Sequence, residues 1–232
     1  MIKKKEVLSI ILAIIIMTIV INFNQIPILL TKAGILTFLM PLAFSSLIIL
    51  SSVCVKKFVA YKLDIEIEHK ILGLKRYGFY KRSYLKKPAP IGLFLPLLIS
   101  LATSGHTKIF TLLQFNSEAL PSKAVKKRGG PNMRIKDITE SDLGLISFCG
   151  LAIVIIIALV SNYLNIALLA KYAVYYAIAN ILPLFQLDGL KLLMSAGEPV
   201  HMSSPRGQTK LVSPLYFLTL VIIIIVSLIV LL

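Results

Sequence analysis

Carboxylates, histidines and cysteines are the scarce residues of this chain. It has 10 Asp and Glu against 25 Lys and Arg, with three His and two Cys. A proton or ion relay through a bilayer needs an array of intramembrane carboxylates. The apolar runs carry only Lys171 as an internal charge, so a transporter is the weakest of the functional classes considered. His69, His106 and His201 all stand more than five residues apart, so no H-E-x-x-H metal-binding helix exists. Cys54 and Cys149 fall within apolar runs and lack C-x-x-C spacing. That excludes a disulfide framework and a thiol zinc site, and leaves both as packing residues.

What the chain has in excess is apolar length. Its hydrophobic content is 57% and its mean hydropathy +0.88, well above a soluble domain. The sequence predicts an all-α polytopic membrane protein with a small cytoplasmic β-sheet. Five segments suit the roughly 20 residues of a spanning helix: Val7 to Ile21, Gly34 to Val55, Leu143 to Leu164, Ile166 to Leu184 and Pro214 to Leu232. The first follows Lys3, Lys4 and Lys5 as a signal peptide would, but NFNQIP after it holds no small-residue cleavage site, so a retained helix is expected. A sixth run, Pro88 to Thr103, is short and carries three prolines, which suits a re-entrant or interfacial segment.

Charge supports that count. With a cytoplasmic amino terminus, five spans place 23 of the 25 basic residues on the cytoplasmic side and the carboxyl terminus outside. The net charge of +15 is thereby explained by topology. Tyrosines among the lysines of YKRSYLKK (80 to 87) suit anionic headgroups rather than nucleic acid. In YKLDIEIEHKILGLKRYGFY (61 to 80), Leu63, Ile65 and Ile67 alternate with Asp64, Glu66 and Glu68, the period of a half-buried strand. Gly73 marks a turn, and a second strand is expected through Tyr77 to Tyr80. Residues 117 to 142, with the basic run KAVKKRGGPNMR, read as a loop. Three regions follow: 1–33 with the first helix and an outer loop, a core over 34–194, and 195–232 with a cytoplasmic loop and the last helix.

The sharpest motif is N-x-x-P-x-x-x-L-D-G, formed by Asn180, Pro183, Leu187, Asp188 and Gly189. Here the chain resembles the site-2 protease family of intramembrane zinc metalloproteases. SFCGLAIVIIIALV (147 to 160) is similar to the family's Gly-Pro helix, with Leu151 after Gly150 where proline is usual. KKFVAYKLDIEIEH (56 to 69) is similar to the segment after the zinc helix, so the resemblance covers about residues 34 to 194. It implies that Asp188 stands where the family has its third zinc ligand and Asn180 where it has an oxyanion-stabilising asparagine.

The chain departs from the family at the zinc helix. Aligning FVAYK with the residues past the family's second histidine puts the motif on Val53 to Lys57, with Val53, Cys54 and Lys57 in the ligand, base and ligand places. A shift of one residue puts Ser52, Val53 and Lys56 there instead. Neither set binds zinc, since valine has no donor and an ammonium repels the metal. The expected function is therefore a noncatalytic relative, a pseudoprotease that binds a transmembrane helix or another membrane partner. Its other partner is the lipid bilayer, and no cofactor is expected. The rival is an active protease whose zinc is held by His106, Asp188 and His201, with His69 a weaker candidate. For Asp188 two readings stand: a wet carboxylate capping a turn, or an ion pair with Lys56 or Lys57 in place of the metal. Asn180 is expected to hydrogen-bond across a helix interface, Pro183 to bend its helix, and Gly189 to permit a tight exit.

Overall fold

In the computed structural model, residues 4–23, 32–76, 84–105, 110, 113–119, 138–183, 187–195 and 214–231 are described. They form seven helices and two small antiparallel sheets. The first helix, α1 (Lys4–Ile21), is apolar beyond Lys4, Lys5 and Glu6 except for Ser9 and Thr18. It buries Ile10, Ala13, Met17 and Val20, one face at helical spacing.

The second helix, α2 (Lys32–Lys62), has 31 residues, about 46 Å at 1.5 Å each. It continues seven residues past the expected end at Val55. Charge at Lys56 and Lys57 suggests a membrane exit, but helix formation continues because Val59 and Ala60 pack against Ile65, Ile67, Phe115 and Ile146. Asp64, with φ 59°, then turns the chain in the left-handed region.

The strand that follows, β1 (Ile65–Ile71), buries alternate residues as its sequence predicts. Gly73 allows a close approach, because a Cβ there would lie 3.1 Å from that of Pro88. Next come β2 (Leu74–Arg76) and β3 (Tyr84–Ala89), paired antiparallel. The expected strand at Tyr77 to Tyr80 lies outside the described residues. A 12-residue helix, α3 (Ile91–Ala102), is about 18 Å long, too short to cross a hydrocarbon core. Pro88 belongs to β3 rather than to this apolar segment.

The loop expected from 117 is corrected at its start, since β4 (Leu113–Ala119) includes 117–119. Its backbone is satisfied by antiparallel pairing with β1, with Phe115 opposite His69, a partner 46 residues away that local composition does not reveal. The remainder of the basic loop, 120–137, lies outside the described residues.

Four helices complete the core. Thr139 caps α4 (Glu140–Tyr163), its side chain accepting from the Asp142 backbone N–H at 3.2 Å. A turn through Asn165 leads to α5 (Ala167–Ile181), and α6 (Asp188–Met194) follows. The last helix is α7 (Pro214–Leu231). Central among these is α4, packed against α2, α5, α6 and α7, while α1 lies against α2, β1 and α3. By length and composition two helices, over Phe38–Lys62 and Glu140–Tyr163, are apolar enough to cross a membrane.

Candidate functional site

Asp188 opens α6 and is buried, with a side-chain exposure of 2%. A glycine places it there. A Cβ on Gly189 would overlap the Ile181 carbonyl oxygen and lie 2.8 Å from that of Leu182. Only a hydrogen side chain therefore lets the start of α6 close against the end of α5. Pro183 does not bend α5. It is exposed beyond the helix end at Ile181, and the residue before it, Leu182, is extended at φ −58° and ψ 130°. Steric exclusion of the helical region before proline ends the helix.

The partner of Asp188 comes from α2. Lys56 Nζ donates to Asp188 Oδ2 at 2.5 Å, across 132 residues of sequence. Both side chains are sealed, at 3% and 2% exposure. The lysine stem crosses α4 at Gly150, where a Cβ would overlap Lys56 Cε and lie 2.7 Å from Cγ. One turn earlier Ser52 donates to the Gly150 carbonyl at 3.3 Å. Thus Ser52 and Lys56 share the face of α2 that meets α4. Of the other aligned positions, Val53 is buried, Cys54 is exposed and Lys57 turns to a different partner.

Asn180 corrects its expectation. Its Nδ2 donates to the Tyr176 carbonyl of its own helix at 2.9 Å, and not across an interface. Its Oδ1 has no hydrogen-bond partner among the described residues. The Tyr176 side chain adjoins Ser52, Lys56, Asn180 and Asp188. Opposite it Lys191, on α6, donates to the Phe115 carbonyl at 2.6 Å with its ammonium over that ring. Burial pushes this amine down to about 7, helped by Lys56 and opposed by Asp188.

A second polar cluster lies on the other side of α2. Glu6 of α1 is buried and both of its carboxylate oxygens are used. Lys57 Nζ donates to Oε2 at 2.7 Å. The backbone N–H of His69 and its Nδ1 each lie 3.1 Å from Oε1. His69 is 1% exposed. Sequence reasoning missed this cluster, though one signal was present: His69 is in phase with Ile65 and Ile67 on the buried face of β1. The matching signal for Lys191 is its position three residues after Asp188, on the same helical face. Cys54, expected to pack, faces outward, and Cys149 is half-buried.

The described residues set against the Asp188 carboxylate do not suit zinc, because they offer ammonium, hydroxyl and amide groups rather than imidazole or thiolate. Among the described residues no three His, Cys, Asp or Glu side chains converge on one point. His106 and His201 lie outside the described residues. What the arrangement does chemically is neutralise a buried carboxylate and tie α2, α4 and α6 together. No protein-family model, curated protein or solved structure matches the chain.

Proposed function

We propose that the chain is a noncatalytic membrane protein on a site-2-protease-like scaffold, which binds a transmembrane helix or another membrane partner. The observation that carries this reading is the Lys56 to Asp188 contact. In the shifted register Lys56 takes the place of the family's second zinc-binding histidine, and Asp188 takes that of the third ligand. A lysine ammonium supplies the positive charge that compensates the carboxylate, in the place a metal ion would take. Ser52, in the first ligand place, is engaged with the Gly150 carbonyl.

Membrane residence is supported by the outward faces of the helices. Leu218, Val221, Ile225 and Leu228 on α7 are each more than half exposed, as are Ile156 on α4 and Leu168 on α5. A contiguous apolar exterior of this kind belongs in lipid. We assign five spans, α1, α2, α4, α5 and α7, with the amino terminus cytoplasmic, the carboxyl terminus outside and α3 at the interface. The distribution of Lys and Arg supports that orientation.

Elemental analysis of detergent-purified protein tests the reading. The expected result is no stoichiometric zinc in the wild type or in Asp188→Ala. Zinc at about one per chain, lost in the variant, overturns it and directs attention to His106 and His201 as ligands.

A further inference from the structure

The cluster around Glu6 is a different device from the site at Asp188, and it stands whether or not the scaffold reading holds. Three elements meet at one carboxylate: α1 supplies Glu6, α2 supplies Lys57 and β1 supplies His69. We propose that Glu6, Lys57 and His69 form an acid-released clasp that holds the amino-terminal helix against β1 and α2.

The argument starts from hydrogen-bond accounting. Glu6 accepts from three N–H groups and does so as a carboxylate. His69 therefore carries its proton on Nδ1, which donates to Oε1, and Nε2 holds the lone pair. Nε2 is buried and has no hydrogen-bond partner among the described residues. In the neutral ring this is a tolerable vacancy. Protonation places a buried N–H there with no acceptor.

The charges facing the imidazole come from several elements. Glu6 on α1 and Asp188 on α6 attract a proton to it, while Lys56 on α2 repels one. On β4 the residue opposite is Phe115, and Glu118 lies at the far end of the register opposite Glu66. The residues of α3 include no titratable side chain. Glu68 and Lys70 are His69's neighbours along β1, on the opposite face, where they bridge each other at 3.2 Å. Burial is the largest influence and holds the ring below its ordinary value, with Lys56 adding to it.

The sign follows. Below about 6.5 a freed histidine binds a proton that the closed clasp does not yet bind. The released state therefore holds more protons, and the closed state loses stability as pH falls through that window. Per proton the opening constant rises by at most about tenfold per pH unit. What opens is local: α1 loses its polar anchors while the α4 core keeps its own.

Hydrogen exchange followed by mass spectrometry on the full-length protein in lipid nanodiscs reads this directly. Opening constants corrected for intrinsic exchange are expected to rise several-fold per pH unit in the first turns of α1 and at His69, between about pH 6.5 and 5. Amides of α4 should stay protected throughout. His69→Gln keeps a donor for Glu6 and cannot charge, so its exchange should be flat over the same range. Acid-independent exchange of α1 in the wild type overturns the clasp, and that result needs no variant to fold. So does an unchanged acid response in His69→Gln, or loss of α4 protection in step with α1.

Discussion

Lys56 and Lys57 are neighbours in one helix, and each holds a buried carboxylate, yet the two pairs are built differently. Successive residues on α2 point about 100° apart, so Lys56 crosses Gly150 to reach Asp188 while Lys57 reaches back to Glu6 on α1. The first pair is sealed at both ends, at 3% and 2% exposure. In the second, Lys57 is 25% exposed and Glu6 1%. Glu6 also has two N–H groups of His69, whereas Lys56 is the one side chain hydrogen-bonded to Asp188 among the described residues. The lesson concerns what is stranded when a partner is removed. A sealed pair leaves a charge with neither water nor a second partner. A half-open pair leaves one charge that reaches solvent and another that keeps its hydrogen bonds.

The largest effect should come from breaking the sealed pair on one side only. Lys56→Met leaves the Asp188 carboxylate buried and alone, and Asp188→Leu does the same to the ammonium. Each should lose about 3–5 kcal/mol. The double variant Lys56→Met, Asp188→Leu removes both charges and should lose far less than either single, since desolvation consumes most of what the pair gains. Unfolding titrations in mixed detergent, read as a double-mutant cycle, decide it. Losses that simply add would show that the two groups act separately, and would end the contrast with Lys57.

Part of this was legible in the sequence, and the reason lies in the range of the signals. The helical segments were readable because apolar runs are local, and β1 because Ile65 and Ile67 alternate with acids. The motif around Asp188 was readable for the same reason, and it posed the question of a lysine partner. Which of two adjacent lysines faces Asp188 depends on the rotation of α2 against α4, set by Gly150 and Ser52 about a hundred residues apart. The strand β4 owes its existence to pairing with β1 across the chain, so its own residues announced it weakly. Glu6 was hidden for a different reason. It sits beside Lys3 to Lys5, where an acidic residue looks like part of a solvated terminal turn, and only the fold shows it buried.

A smaller effect is expected at the half-open pair. Lys57→Met removes one donor to Glu6 but leaves the carboxylate with both His69 N–H groups. A hydrogen bond to a charged group contributes about 1.5–3 kcal/mol. Solvent screening at a partly exposed lysine reduces that, so a loss of about 1–2 kcal/mol is expected. The same titration should therefore rank Lys57→Met well below Lys56→Met. A reversed ranking would mean that enclosure does not set the value of these pairs, and that the network around Glu6 is the principal anchor of α2.

The smallest effect isolates exposure itself. Lys62, the last residue of α2, is exposed, and its ammonium sits 4.7 Å from the ring centroid of Phe58, which is 60% exposed. It has the same chemistry as Lys56 and Lys57 in the same helix, but its partner is the face of an exposed ring. Such a contact contributes about 0.5–1 kcal/mol at most. Lys62→Met should fall within that range, because neither member is stranded when the other is lost. Performed in neutral detergent and again in anionic bilayers, the substitution separates two sources of stabilisation. An ammonium near anionic headgroups gains about 1 kcal/mol from the surface, so a larger loss in the anionic bilayer places the end of α2 at the membrane interface. An equal loss in both places it away from lipid. The sealed pair should show no such dependence on headgroup charge, since Lys56 is 3% exposed and does not reach the surface.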